Sequence, residues 1–540
     1  MLSSAGADQV RGSPAYSPSV RFVMRTWMVL ASIFLGLRLA EAIPVGPGQR
    51  TNVALEDGIR ALQAGQFAQA RRILSKAVKR SPSAENISYL AMAEAGTGDL
   101  ALAIADFQKS IRLGNRSAGV HYNLGITYLK SGRPEDGIRE LRAALAKDPE
   151  FEPPMHALGT ALLGVGRPNE AIPYLEQARR LSPRDSEVWT NLVRAQFELG
   201  DSNAALKAID QAVQAIPGNI SLLVTLAGLS LQHGQAQKAR SMFEGANQAQ
   251  PGDASIELSL ARACLQAGEP KEALAVLKDV PAEAGRPGET MFLRGEAQAL
   301  TENFVVAEVD LTAAVEADPR NVDYLIADAW LKQLETEYDE ALEILAKARA
   351  LDARLPSIPY RIAVNYFSLG KFPETIKACQ EAIQLAPGYA EAYMIMGVAE
   401  LQKKDFAAAE VAFRQAATLK PNTEQFHLLL GVALYKNDKF DESLQELNQT
   451  LILDSHSAYG YFYRAQVFAR RGERPKAIAD LETAVSLQPH YRKAYAELAR
   501  LYAADGQREK AVATLAKEGA EVHREEDENA RLLQGVGALP

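Results

Sequence analysis

The stretch HYNLGITYLKSGRPEDGIRELRAALAKDPE, residues 121–150, contains two helical patterns separated by a short polar segment. Apolar and small residues recur three or four positions apart on each side of this segment, as on one face of an α-helix. Gly132 and Pro134 interrupt the pattern, and Pro149 ends its second half because proline lacks an amide hydrogen. The stretch therefore predicts two antiparallel helices joined by a turn.

The same pattern recurs every 34 residues along most of the chain. One column of the repeat holds an alanine, as at Ala171, Ala205, Ala239, Ala273, Ala307 and Ala341. The column continues forward to Ala511 and, through Gly137, back to Ala70, which defines fourteen units. A period of this length indicates that repeated helical units are stacked into one array.

Three further columns keep the same period, and the quoted stretch shows one member of each. Gly125 represents a column of small residues in the first helix, and Gly137 marks the alanine column in the second. Small residues at both places allow the two helix backbones to approach closely. Leu141 belongs to a column of large apolar residues that fills the space beside them, and Pro149 to a column of prolines that ends the unit.

These columns resemble the tetratricopeptide repeat family over residues 51 to about 519. The quoted stretch matches the family motif at Leu124, Gly125, Tyr128, Gly137, Leu141, Ala144 and Pro149. The resemblance implies an all-α fold, a right-handed α-solenoid of about 14 tetratricopeptide helix-turn-helix repeats. It also implies a concave groove lined mainly by the first helix of each pair, with each unit contacting its neighbours only.

The repeat boundaries predict a division of the chain into five segments. Units one to seven form an N-terminal array over residues 51–287, and units eight to fourteen form a C-terminal array over residues 288–519. The segment LKDVPAEAGRPGE at 277–289 is rich in proline and glycine, so it predicts a shortened second helix in unit seven. This segment is either a softer joint or an irregular loop. Residues 520–540 form an acidic cap or tail.

The N-terminal segment 1–42 has the pattern of a secretory signal peptide behind a polar prefix, followed by a linker at 43–50. Arg21 and Arg25 precede the apolar run WMVLASIFLGL at 27–37, and Ala40 and Ala42 supply the small residues of a cleavage site. Eleven apolar residues are too few for a membrane span, which takes about 20. An uncleaved anchor and a start at Met24 remain alternatives. The pattern predicts a periplasmic or secreted location in a bacterial envelope, with no stable membrane span after cleavage.

Charge and residue spacing indicate no catalytic chemistry. The net charge of −8 disfavours nucleic-acid binding, which requires basic clusters. The sequence has no phosphate-binding loop or nucleophile elbow, and none of its seven histidines pairs with another at metal-ligand spacing. Cys264 and Cys379 fall in core columns and are interpreted as buried thiols. We expect no catalytic residue, no cofactor, no metal and no enzymatic activity.

Aromatic residues concentrate in the C-terminal half, most densely in SAYGYFYR at 457–464. Tyr461 and Phe468 are predicted to face the core, whereas Phe462 and Tyr463 lie three and four residues after Tyr459 and share another helix face with it. The family register places these and other side chains towards the groove. The predicted partner-binding groove consists of Phe292, Trp330, Tyr360, Met394, Val398, Tyr435, Tyr459, Phe462, Tyr463 and Gln466.

Together these features predict an exported, non-catalytic scaffold that binds proteins or extended peptides through its groove. One alternative is a scaffold subunit of an envelope polysaccharide-export or pilus assembly machine. Another is an accessory arm of an enzyme whose catalytic domain has been lost. The partner is expected to be a protein or peptide in each scaffold hypothesis.

The signal-peptide hypothesis predicts the N-terminus of the exported protein. Signal peptidase requires small residues at the cleavage site, so cleavage after Ala42 should leave Ile43 as the first residue. Mass spectrometry of protein from the envelope fraction measures this directly. Soluble protein that retains Met1 or Met24 would contradict the hypothesis.

Overall fold

The computed structural model describes residues 53–517, and every regular element in this range is an α-helix. No strand occurs among these residues, which confirms the predicted all-α class. The predicted signal peptide, linker and acidic tail, at 1–42, 43–50 and 520–540, lie outside the described residues. Within residues 53–517, no helix is both long enough and apolar enough to cross a membrane.

The described chain consists of two compact units, residues 53–301 and 302–517. The helices of the first unit are α1 (Val53–Gln63), α2 (Phe67–Arg80), α3 (Ala84–Gly96), α4 (Leu100–Arg112), α5 (Ala118–Lys130), α6 (Pro134–Lys147), α7 (Glu152–Gly164), α8 (Pro168–Leu181), α9 (Ser186–Leu199), α10 (Ser202–Ala215), α11 (Ile220–Gln232), α12 (Ala236–Ala249), α13 (Ala254–Gln266), α14 (Pro270–Leu277) and α15 (Glu289–Leu300).

The second unit continues the same alternation. Its helices are α16 (Phe304–Ala317), α17 (Val322–Leu334), α18 (Tyr338–Leu351), α19 (Ser357–Ser368), α20 (Phe372–Leu385), α21 (Ala390–Gln402), α22 (Phe406–Leu419), α23 (Glu424–Lys436), α24 (Phe440–Leu453), α25 (Ala458–Arg470), α26 (Arg474–Leu487), α27 (Arg492–Ala504) and α28, residues 508–517.

The described residues contain 28 helices, two for each of the fourteen predicted repeats, and the two helices of repeat eight, α15 and α16, belong to different compact units. Within each compact unit, a helix packs against the helices before and after it, and first helices of adjacent repeats also touch, as α5 touches α7 and α23 touches α25. Inside each compact unit, a repeat therefore packs only against its immediate neighbours in the chain, which is the arrangement of an α-solenoid. The predicted architecture of about fourteen helix pairs is confirmed.

The close approach of the two helices in a pair rests on the small-residue column. A Cβ atom at Gly159 would lie 2.5 Å from Cγ of Leu175, and one at Gly397 would lie 2.6 Å from Cε1 of Phe413. Both distances are shorter than side-chain contacts allow. The alanine of the facing column, for example Ala171, is completely buried. The columns thus specify how each helix pair packs.

The turn between the helices of a pair requires a left-handed backbone conformation. Glycine occupies this place in most repeats, as Gly132 does with φ 76°. In the second unit Thr336 and Lys404 adopt the same conformation, with φ 66° and 64°. A side chain disfavours this region, and a β-branched one such as threonine does so most. The geometry of the turn is therefore retained without glycine.

The predicted shortening of the second helix in repeat seven is confirmed. Helix α14 has 8 residues, whereas α12 of the preceding repeat has 14. The loop that follows is anchored to α15: the Thr290 hydroxyl donates to the carbonyl oxygen of Pro281 at 3.0 Å, and Glu289 forms ion pairs with Arg262 and Arg286. These contacts favour an ordered irregular loop. The alternative of a softer joint predicts faster hydrogen exchange in this segment than at the other repeat boundaries. The two compact units divide later, after Thr301.

Substitution of Gly159 tests the packing within a helix pair. We expect Gly159→Ala to destabilise the array by about 1–3 kcal/mol, because the new methyl group overlaps Leu175. Gly228→Ala, inside helix α11, is the matched control: no atom lies within 4 Å of a Cβ there, so alanine should stabilise the helix by about 0.5–1 kcal/mol. Chemical denaturation measures both effects. Equal effects of the two substitutions would contradict this packing.

Candidate partner-binding surface

One contact recurs where successive repeats meet, and we call it the junction contact. One member of the contact lies in the first two turns of the first helix of a repeat. The other lies 29 positions later, immediately before the first helix of the next repeat. Three aromatic examples have ring centroids 5.6, 4.9 and 4.9 Å apart: Tyr122 with Phe151, Tyr360 with Tyr389, and Phe462 with Tyr491.

The junction contact of repeats thirteen and fourteen belongs to a larger group of rings, the terminal aromatic cluster: Tyr459, Phe462, Tyr463 and Tyr491. The ring of Tyr459 lies 5.0 Å from that of Tyr491, and Phe462 meets Tyr463 edge to face at 5.2 Å. Edge-to-face and tilted aromatic pairs at these separations are attractive beyond the area they bury. The four rings therefore hold one another in place.

The members of the cluster differ in how accessible they are. Phe462 and Tyr491 are buried, whereas Tyr459 and Tyr463 are partly exposed. Among the described residues, no hydrogen bond engages the hydroxyl groups of Tyr459 and Tyr463. Burial raises the pKa of Tyr463, and the neighbouring phenols of Tyr459 and Tyr435 act in the same direction. The hydroxyl of Tyr463 is therefore protonated, and it can donate a hydrogen bond to a bound molecule.

The ten residues predicted to line the groove divide into two sets. Tyr360, Tyr435, Tyr459, Tyr463 and Gln466 are partly exposed. The other five are buried, with exposed fractions between 1 and 8%: Phe292, Trp330, Met394, Val398 and Phe462.

The five buried side chains pack in the core and present little surface, and their part in partner binding stays a prediction. The family register considers each repeat alone. In the array, the first helix of a repeat also contacts first helices of adjacent repeats within the same compact unit, as α25 contacts α23. Phe292 belongs to the first compact unit, whereas the other nine residues belong to the second.

The aromatic residues of SAYGYFYR do not divide simply between core and surface. Tyr461 and Phe468 were expected in the core; both pack against the core cluster that contains Phe462, but both remain partly exposed. Their rings lie 5.4 and 5.9 Å from the guanidinium carbon of Arg464, which also forms an ion pair with Asp480 at 2.7 Å. The ring that enters the core is Phe462. Neighbouring helices, rather than hydrophobicity alone, decide which aromatic residue is buried.

Sequence reasoning missed the second partner of each junction contact. Tyr389 and Tyr491 precede a helix, where they are easily interpreted as turn residues. The 29-residue spacing to an aromatic residue in the preceding repeat is the signal that identifies them.

A polar version of the junction contact lies between repeats four and five. His156 in α7 and Asp185 immediately before α9 occupy the two places, and Glu152 lies beside them. One potential ligand atom from each residue lies within 4.8 Å of the other two. The sequence predicted no metal site, since it contains no local ligand motif. The structure brings together a group that could hold a metal ion.

Profiles of the tetratricopeptide repeat family match most of the chain, and the chain belongs to this family. The matches cover residues 94–162, 162–229 and 230–287 with one profile, 55–118, 360–424, 405–459 and 428–481 with a second, and 493–517 with a third. The fold is that of a protein–protein interaction scaffold. No curated protein matches the sequence.

Three solved structures illustrate the fold-level likeness. The hetero-tetramer Cut9-Hcn1 of the APC/C matches with 16% identity and a TM-score of 0.42, over 88% of this chain and 99% of that chain. MamA matches with 21% identity and a TM-score of 0.29, over 31% and 97% of the two chains. YrrB, described as a tetratricopeptide protein with an unusual peptide-binding site, matches with 21% identity and a TM-score of 0.31, over 34% and 95%.

Substitution of Phe462 tests its place in the core. Phe462→Ala should destabilise repeats thirteen and fourteen by about 3 kcal/mol or more, because it leaves a cavity under Tyr463 and Tyr491. Tyr459→Ala should cost less, because the side chain is already partly exposed. Hydrogen exchange resolved along the chain measures the local effect. Unchanged protection of repeats thirteen and fourteen in Phe462→Ala would place this ring on the surface after all.

Proposed function

We propose that this protein is an exported envelope scaffold that binds an extended segment of a partner protein across repeats twelve to fourteen. The observation that carries the proposal is the pair of partly exposed tyrosines, Tyr459 and Tyr463, whose hydroxyl groups form no hydrogen bond with the described residues. Tyr435 of repeat twelve and Gln466 of repeat thirteen extend the same surface as partly exposed polar side chains.

Pre-organisation of the two tyrosines supports binding. Tyr459 rests against Tyr491, and Tyr463 rests against Phe462, so neither ring has to be ordered when a partner arrives. Less side-chain entropy is then lost on binding. Tyrosine also combines a large apolar ring with a polar hydroxyl group. It is enriched among the interface residues that contribute most of the binding free energy.

The chemistry of the exposed groups favours a peptide backbone as ligand. Protonated phenol groups can donate hydrogen bonds, and an extended peptide presents carbonyl acceptors at regular intervals. The rings of the same two tyrosines can cover apolar side chains of the partner's segment. An extended segment therefore uses both properties of the surface, whereas a folded partner presents few free backbone carbonyls.

The cellular location within this proposal rests on the sequence alone. The basic, apolar and small-residue pattern of residues 1–42 supports export, and it lies outside the described residues. The proposal assigns no catalytic step to the chain. A scaffold subunit of polysaccharide-export or pilus machinery, where similar repeat proteins occur, would bind protein partners in the envelope in the same way.

A peptide-display experiment tests the surface. Random extended peptides are selected on the full chain, and the affinity of the selected peptides is measured by fluorescence polarisation. Replacing Tyr459 and Tyr463 together by phenylalanine should weaken binding about ten-fold, since two hydrogen bonds of about 1 kcal/mol or less each are lost. The fold should be unchanged because the rings remain.

The matched control replaces two tyrosines of second helices, Tyr174→Phe and Tyr338→Phe, which lie away from this surface in the repeat pattern. The control variant should bind the peptides as the native protein does. Equal affinity of the native protein and the Tyr459/Tyr463 variant for every selected peptide would refute the proposed surface.

A further inference from the structure

The cluster of Glu152, His156 and Asp185 is built by two adjacent repeats. Glu152 is the first residue of α7 and His156 follows one turn later, so both side chains lie on one helix face. Asp185 caps α9: its Oδ1 accepts hydrogen bonds from the backbone amides of Glu187 at 2.8 Å and Val188 at 3.3 Å. The cap holds this carboxylate in place at the start of repeat five.

The imidazole of His156 is also held in position. Nδ2 of Asn191, in α9, lies 3.2 Å from His156 Nε2 and 3.0 Å from Oγ1 of Thr160. The Thr160 hydroxyl in turn donates to the backbone carbonyl of His156 at 2.9 Å. A metal-binding histidine donates its other ring N–H to an oxygen acceptor, so zinc binding at Nδ1 would require the Asn191 amide to turn its oxygen towards Nε2.

The cluster has an excess of negative charge. No described lysine or arginine forms an ion pair with Glu152 or Asp185, and Glu187 adds a third carboxylate to the field around His156. Oε1 of Glu152 is buried and has no hydrogen-bond partner among the described residues. A buried, unpaired carboxylate oxygen is costly unless a cation or a donor satisfies it.

We propose that Glu152, His156 and Asp185 bind a zinc ion that links repeat four to repeat five. One imidazole nitrogen and two carboxylate oxygens suit Zn²⁺, which binds such ligands at about 2.0–2.2 Å. Ca²⁺ and Mg²⁺ instead prefer oxygen ligands throughout. Tetrahedral ligands at these bond lengths lie about 3.3–3.6 Å apart, so the side chains need to close by roughly 1 Å. The fourth position remains open to water.

Zinc titration of the full chain tests the site. The protein is purified without a histidine tag, stripped with a chelator and titrated with zinc chloride in a calorimeter near neutral pH. The native protein should bind one Zn²⁺, and its thermal midpoint should rise. His156→Ala should weaken zinc binding about 100-fold or more, and magnesium chloride should give no comparable binding.

Asp185→Asn separates metal binding from folding, because asparagine caps a helix about as well as aspartate but removes the charge. It should lose tight zinc binding while its thermal midpoint without zinc is retained. His427→Ala is the matched control: His427 pairs with Glu446 at 2.7 Å in the other compact unit, and its removal should leave zinc binding unchanged.

Three outcomes would overturn the proposal. The first is native protein that binds no zinc at one ion per chain. The second is zinc affinity that is the same in the native protein, His156→Ala and Asp185→Asn. The third is magnesium binding as tight as zinc binding, which would indicate a carboxylate site in which the imidazole takes no part.

Discussion

The packing of a small residue against a large apolar one inside each helix pair is the constraint on which this structure depends. Gly159 accommodates Leu175 in repeat four, and Gly397 accommodates Phe413 in repeat eleven. Because a side chain at either glycine would overlap its partner, the distance between the helices of a pair is set locally. Similar pairs then stack with a constant period, and residues 29 positions apart meet at several junctions inside a compact unit.

The junction contact shows how one backbone geometry supports different chemistry. In repeats thirteen and fourteen the two places hold Phe462 and Tyr491, and their rings support exposed tyrosines. In repeats four and five the same places hold His156 and Asp185, which gather negative charge around an imidazole. The scaffold supplies the distance, and the residue types decide whether the junction presents an aromatic surface or a set of metal ligands. The proposed peptide surface and the proposed zinc site are two uses of one contact.

The candidate surface could be predicted only in part. The register of the repeat assigned Tyr459, Tyr463, Trp330 and Phe462 to the groove. Tyr459 and Tyr463 are partly exposed, whereas Trp330 and Phe462 are buried, because the helix of an adjacent repeat adds a second packing partner. An aromatic pattern within one helix contains no information about that second neighbour.

The sequence by itself determined the class of fold, the number of repeats and the shortened helix α14, because each follows from interactions within about 34 residues whose periodicity is visible in the chain. It also showed that Cys264 and Cys379 are core residues, as their complete or near-complete burial confirms. Only the tertiary structure decided which side chains of the first helices remain accessible and which polar groups meet. Those outcomes depend on the angle and distance at which one helix pair stacks on the next.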